Sequence, residues 1–250
     1  MIWITAWSCV APLLYFLFDL QWLNIPWLPV SIIATAVAFY IGFKNNSSYD
    51  RLWEARKIWG AIVNSSRMLS TTSKAFITDL FTSESMSEND IHERLKRIVY
   101  NHIAYLYILR NQLLIPTEWE HINQSKHVRR LTQRRIKTIG VGLFDDGQVD
   151  PILDKYLDTK QKERIINYTN SATQLLDEQS KLIKNLRQDN LIDDFRHMEL
   201  QKIINDFYTH QGKCERIKKF PFPRQYGGMS FVFVVIFIFL LPFGFIGAFS

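Results

Sequence analysis

Residues 24–67 read NIPWLPVSIIATAVAFYIGFKNNSSYDRLWEARKIWGAIVNSSR, and they join an uncharged stretch directly to a charged one. The first 20 of these residues, 24–43, contain no Asp, Glu, Lys or Arg. At about 1.5 Å per residue, a helix of that length crosses a hydrocarbon core of roughly 30 Å. The apolar spacing continues beyond Lys44 to about Leu80 with no proline. This part of the chain therefore predicts a membrane-spanning helix that leaves the bilayer and continues in water, as one long helix or as several short ones.

Almost all charged residues lie in one block of the sequence. Residues 44–224 hold all 30 Lys and Arg and 23 of the 24 Asp and Glu, and Asp19 is the only charged residue outside that block. Residues 2–18 and 229–249 are two further uncharged stretches, so we predict three spans. A cleavable signal peptide is the alternative for the first span, but no basic residue precedes it and no small-residue cleavage site follows it.

The distribution of basic residues predicts the orientation. Lys44, Arg51 and Arg56 follow the second span, and Lys218, Lys219 and Arg224 precede the third. Lys and Arg accumulate on the cytoplasmic side of membranes. We therefore expect membrane helices at 1–43, a cytosolic domain at 44–224 and a third membrane helix at 225–250. Cys9 and Cys214 are expected to be reduced thiols.

The cytosolic block has helical apolar spacing almost throughout and no alternating apolar and polar run that would indicate a strand. The chain is therefore predicted to be an all-α integral membrane protein whose transmembrane helices carry a large helical cytosolic domain. Residues 83–90 are expected to cap a helix at about 90–114, which Pro116 stops. Further predictions are a helix at 125–139, a turn at 143–150, and helices at 158–187 and 190–211, the last ended by Gly212.

Signals for catalysis are weak. The six histidines form no HExxH or Cys/His metal pattern, and no phosphate-binding or nucleophile motif is present in the sequence. Asp145-Asp146 and Asp193-Asp194 are typical of solvated carboxylates. The basic run at 126–137 is open to two interpretations, a solvated helix face or a surface for nucleic acid or lipid headgroups. We predict no enzyme activity, no cofactor, no metal site and no nucleic-acid partner.

Three blocks of the sequence carry a family resemblance. They are GFKNNSSYDRLWEARKIWGAIVNSSR at 42–67, GKCERIKKFPFPRQY at 212–226 and LLPFGFIG at 240–247. In their order and spacing they resemble the bacterial branch of the bestrophin family. The resemblance implies a pentameric, multi-pass ion channel of the cell membrane, in which the second span lines a narrow hydrophobic neck above a wider cytosolic vestibule. It also implies a basic segment before the first span and a fourth span after the third, so we expect the natural chain to extend at both ends.

Helix geometry separates two stripes on the second span. One stripe consists of Thr35, Phe39 and Phe43, and the other, about 100° round the helix, of Ala34, Ala38 and Gly42. Small residues four apart let transmembrane backbones approach closely, so we predict that the second stripe packs helices. We predict that the first stripe forms the pore neck, where the family resemblance places its neck residues; the alternative is that its phenylalanines face lipid.

Three further residues complete the predicted ion path. Asn45 and Asn46 follow the neck, where they are expected either to contact ions at the pore entrance or to cap and pack the helix. The resemblance also implies a constriction on the cytosolic helix before the second block, and counting back from Gly212 places it near Phe195.

The function predicted from these features is conduction of chloride or other small anions through a homo-oligomer, most simply a pentamer, in contact with membrane lipid. A hydrophobic neck has little charge preference of its own. The sequence therefore leaves open a cation-conducting channel on the same scaffold. A third interpretation is a membrane-anchored helical scaffold that conducts nothing.

Overall fold

A computed structural model describes residues 2–82, 86–115, 117, 126–139, 149–220 and 224–249 of the chain. Across these residues the regular structure is helical, without any strand, which confirms the predicted all-α fold. The helices, in chain order, are α1 (Ile2–Phe18), α2 (Trp27–Phe76), α3 (Glu88–Leu114), α4 (Lys126–Ile139), α5 (Val149–Leu153), α6 (Thr159–Ile166), α7 (Ser171–Gln188), α8 (Asp194–Lys219) and α9 (Arg224–Phe249). A single 3₁₀ turn, Gln21–Leu23, stands between α1 and α2.

The helix α2 is continuous over 50 residues, so the sequence that leaves the predicted membrane span forms one long helix and not several short ones. The segment Gln21–Phe76, which contains α2, and the segment Met229–Ile246 of α9 are long and apolar enough to cross a membrane. The helix α1 is apolar but has only 17 residues.

Two of the predicted helix boundaries are wrong. The single helix expected at 158–187 is interrupted, because the side chain of Asn170 accepts a hydrogen bond from the Thr173 backbone N–H and so starts a new helix, α7.

Gly212 does not end α8, which continues to Lys219. An exposed glycine costs a helix only about 1 kcal/mol, and the burial of Cys214 on the next turn offsets that cost. The turn predicted at 143–150 lies outside the described residues except for its last two positions, which begin α5.

The chain divides into two compact units. The first comprises Met1–Trp53 together with Pro221–Ser250 and contains α1, the first half of α2, and α9. Within it the indole of Trp7 stacks on Phe239 of α9 with ring centroids 4.8 Å apart and donates a hydrogen bond to the Phe239 carbonyl at 3.3 Å. On the other side of α9, Tyr40 of α2 stacks on Phe233 at 5.4 Å. Aromatic side chains thus join all three apolar helices of this unit.

The second unit is Glu54–Phe220, and its core is formed mainly by α3, α7 and α8. Tyr105 and Phe207 are fully buried and meet edge to face at 5.8 Å. Buried amides also link the helices: Asn101 of α3 donates to the Leu175 carbonyl and to the side-chain oxygen of Gln179, both on α7. Because a buried amide is costly unless it is paired, these bonds fix the register of α3 against α7.

Candidate functional site

The face of α2 that carries the predicted neck residues is open in the protomer. Phe39 is 65% exposed and Phe43 is 55% exposed, and Thr35 is exposed as well. The opposite face is buried at Val30 (0% exposed) and Val37 (7% exposed), although Ile41, one turn further along that face, is 49% exposed. Phe39 lies two residues, or about 200°, from Val37. The predicted neck stripe is therefore the side of α2 that α9 leaves free.

The chemistry of this face is apolar. Phe39 and Phe43 contact each other edge to face, with centroids 4.4 Å apart and ring planes at 82°. The Thr35 hydroxyl donates its hydrogen to the Ser31 carbonyl at 3.0 Å, so this hydrogen is not available to an anion. A ring of such side chains would offer an ion no charge and no ready donor, and would act on it by width and by exclusion of water.

The stripe predicted for helix packing has no packing partner inside the described part of the chain at Gly42. A Cβ built at Gly42 meets no atom within 4 Å, and Ala38 is exposed. The packing role of Ala34, Ala38 and Gly42 therefore stays a prediction, and it concerns contact with another chain.

The close helix approach within the first unit occurs elsewhere, at Gly244 of α9. A Cβ added at Gly244 would lie 2.9 Å from Cγ2 of Val30 and 3.3 Å from Cε3 of Trp27. Sequence analysis identified the block 240–247 only by resemblance and assigned no contact to its glycine. The signal was present, because a glycine within an apolar span is typical of closely packed transmembrane helices.

The two asparagines below the neck face different surroundings. Asn46 lies three residues after Phe43 and continues the exposed phenylalanine face. Asn45 lines a groove between α2 and α9 together with Lys44 and Ser48. A role at the pore entrance stays a prediction for both, and the geometry favours Asn46.

Two blocks of the sequence signature meet in the second unit. Glu54, from the first block, accepts a hydrogen bond from Arg216, from the second, at 2.5 Å. In the five residues before Glu54, Tyr49 and Trp53 stack nearly parallel at 6.3 Å, and both are exposed. The ion pair thus ties α2 to α8, and the two stacked rings present an aromatic surface that is about half exposed.

Phe195, the predicted cytosolic constriction, lies in the first turn of α8 and is 81% exposed. Its neighbour Arg196 is held against the protein, where it donates to the Phe76 carbonyl at 2.9 Å and lies over the Phe81 ring at 4.9 Å. Anchoring of Arg196 directs Phe195 away from the core. Its role in the ion path stays a prediction.

Among the described residues there is no group of three or more His, Cys, Asp or Glu side chains placed to hold a metal ion. The acidic pair Asp193-Asp194 has structural contacts. Asp193 caps α8 by accepting from the Arg196 N–H at 2.8 Å, and Asp194 pairs with Arg187. The other pair, Asp145-Asp146, lies outside the described residues.

Comparison with known proteins identifies a family that matches the whole chain and relatives that match most of it. A family model described as Bacterial/Fungal Bestrophin protein matches residues 1–250. The chain is 27% identical over 221 residues to "Voltage-dependent anion channel-forming protein RSc3414" of Ralstonia nicotianae, which covers 88% of this chain and 59% of that protein. It is 26% identical over 215 residues to "Voltage-dependent anion channel-forming protein YneE" of Escherichia coli K12, which covers 86% of this chain and 57% of that protein. The chain thus spans less than two thirds of the length of either relative.

Solved structures show the same fold. A crystal structure of a variant of a bacterial Bestrophin homolog from Klebsiella pneumoniae superposes with a TM-score of 0.77 at 20% identity, covering 99% of this chain and 76% of that one. A second structure of that homolog gives a TM-score of 0.75 at 21% identity, covering 98% and 76%.

Proposed function

The chain belongs to the bestrophin family, and we propose on that premise that it assembles with copies of itself into an anion channel of the cell membrane. Membership assigns it to a family of ion channels and not of enzymes. The observation that carries the proposal is the open apolar face of α2, where Phe39 and Phe43 are more than half exposed while Val30 and Val37 on the opposite face are buried.

The proposed arrangement is a pentamer in which five copies of α2 surround the ion path. Thr35, Phe39 and Phe43 form the neck, and Phe195 forms a second constriction. The first unit lies in the bilayer as a multi-pass bundle, and the second unit lies in the cytosol. The lengths and hydropathy of α2 and α9 support the membrane placement, and the basic residues beside the apolar spans support the orientation.

Anions are the proposed substrate, with chloride as the simplest. The names of the curated relatives support an anion. The excess of basic residues in 44–224 also supports it, since positive potential raises the local concentration of anions. The apolar neck has no fixed charge with which to exclude cations, which keeps a cation-conducting channel as the second candidate.

A flux assay separates these candidates. The protein is reconstituted into liposomes with KCl inside, and chloride efflux is measured with and without the potassium carrier valinomycin. An anion channel releases chloride only when valinomycin lets K⁺ leave with it. Rapid loss of K⁺ when only a proton carrier is added would indicate a cation channel, and no flux of either ion would favour the non-conducting scaffold.

A further inference from the structure

The groove between α2 and α9 in the first unit is a second candidate site. It has a volume of about 420 Å³, and it is lined by Ile41, Lys44, Asn45 and Ser48 of α2 and by Ser230, Phe231 and Val234 of α9. Ile41 lies two residues, or about 200°, from Phe39, so the groove opens on the side of α2 away from the predicted neck. It is therefore distinct from the proposed ion path.

The lining is divided between polar and apolar groups. Lys44, Asn45 and Ser48 of α2 and Ser230 of α9 supply the polar part, and among the described residues no acidic side chain lines the groove. Within the described part of the chain, neither the Lys44 ammonium nor the Asn45 amide has a hydrogen bond or an ion pair. The Ser48 hydroxyl donates to the Lys44 carbonyl at 2.8 Å, so its hydrogen is already used. Lys44 and Asn45 are consequently donors available to a ligand.

The groove lies where the apolar sequence ends. Lys44 is the first charged residue after the uncharged stretch 24–43, and the facing segment of α9 lies at the start of the uncharged stretch 229–249. Under the proposed function, on which this step rests, both segments cross the bilayer. Lys44 then stands at the level of the cytoplasmic headgroups, and Val234 lies deeper, toward the acyl chains.

We propose that this groove binds one anionic glycerophospholipid. Its phosphate accepts hydrogen bonds from Lys44 and Asn45, and an acyl chain lies along Ile41, Phe231 and Val234. A lone ammonium with no protein partner suits a phosphate at a membrane surface rich in anionic lipid. Free phosphate would leave the apolar half of the groove in water, which favours a ligand that has both an anionic head and an apolar tail.

Native mass spectrometry of the detergent-solubilised protein tests the proposal. The protein is titrated with phosphatidylglycerol and, separately, with phosphatidylcholine, and bound lipid is counted for each assembly. We expect Lys44→Gln to weaken phosphatidylglycerol binding about tenfold, as the loss of one charge-assisted hydrogen bond would do. The matched control is Lys57→Gln, an exposed cation about 20 Å further along the same helix, which should change binding less than twofold.

A second pair of variants tests the apolar half of the groove. Val234→Trp fills it and should reduce the binding of both lipids, whereas Val235→Trp adds the same ring on the adjacent, exposed position and should not.

Equal losses from Lys44→Gln and Lys57→Gln would overturn the proposal in favour of diffuse electrostatic attraction. If free glycerol phosphate at the same concentration as the lipid displaces it, the groove is a plain anion site and the proposal is overturned. If Val234→Trp binds lipid as well as the wild type, the lipid lies elsewhere, for example because a neighbouring copy fills the groove. The readout is binding, so the proposed conduction can fail or succeed independently of it.

Discussion

Phe39 and Phe43 are the residues whose replacement should change conduction most. An ion that loses water in an apolar ring receives no compensating ligand, and at least several kcal/mol oppose its passage. Phe39→Ala and Phe43→Ala widen the ring, so single-channel conductance should rise, most in the double variant, with little change in selectivity. Ile41→Ala, on the opposite face of α2, is the matched control and should leave conductance unchanged. A double variant with wild-type conductance would remove these rings from the ion path.

His102 should make the stability of the second unit depend on pH. Its Nε2 lies 2.9 Å from the Ser66 hydroxyl, its Nδ1 has no partner within the described residues, and burial lowers the pKa of the imidazole from 6.5 to about 4. Between these values the unfolded chain binds a proton that the folded chain does not. The contribution of neutral His102 to the free energy of unfolding is therefore fully present above pH 6.5. It is lost as pH falls toward 4, and the loss is on the order of 3 kcal/mol.

The measurement for His102 is the thermal unfolding midpoint of the solubilised protein between pH 8 and pH 5. His102→Gln should flatten the fall of the midpoint on acidification, whereas His92→Gln, at an exposed position on the same helix, should not. Some dependence should remain in the His102 variant, because burial also lowers the pKa of His210. An unchanged slope in His102→Gln would contradict the assignment.

At the scale of elements, local sequence predicts where most helices lie but not where tertiary contacts divide them. The N-cap of α3 is Ser87, from the polar segment that sequence analysis singled out, and its side chain accepts from the Asp90 N–H at 3.2 Å. The break before α7 combines a local cap, in which Asn170 accepts from the Thr173 N–H, with a distant contact that the local sequence does not reveal. The Asn170 amide also donates to Glu215 of α8 at 3.0 Å, and no local pattern reports that contact.

The candidate site shows the same division between local and distant causes. The 3.6-residue period of α2 places Thr35, Phe39 and Phe43 on one face, and the structure leaves that face open. An apolar face toward lipid and an apolar face toward a dewetted pore have the same composition, so the period alone does not distinguish them. The groove at Lys44 was beyond sequence analysis because its other wall comes from α9, nearly 190 positions away in the chain.

Two glycines in long helices should respond in opposite directions to replacement by alanine. Gly212→Ala adds a methyl group that meets no atom of the described residues within 4 Å, removes a flexible residue from α8, and should stabilise by about 1 kcal/mol. Gly244→Ala places a methyl group 2.9 Å from Cγ2 of the fully buried Val30 and should destabilise by about 1–3 kcal/mol. Thermal unfolding midpoints measure both changes. A Gly244→Ala variant as stable as the wild type would contradict the close approach of α9 to α2 at Gly244 and Val30.

At the scale of the whole molecule, the open face of α2 predicts assembly. We expect the solubilised protein to have the mass of a pentamer by native mass spectrometry. Gly42→Leu should shift it to smaller species, because the added side chain holds neighbouring backbones apart. Gly42→Ala, which keeps the residue small, should remain pentameric. A conducting monomer would contradict the assembly, and a pentameric Gly42→Leu would move the contact to another face.

The central claim, that the phenylalanine face of α2 lines the path of the ion, is tested most directly by attaching a charge to it. In a background where Cys9 and Cys214 are replaced by alanine, Phe43→Cys and Ile41→Cys are recorded as single channels before and after a negatively charged methanethiosulfonate reagent. The two positions are two residues apart and lie on nearly opposite faces of the same helix. We expect the reagent to block current through the Phe43→Cys channel and to leave the Ile41→Cys channel unchanged. Block at Ile41→Cys with none at Phe43→Cys would contradict the claim and place the ion path on the other side of α2.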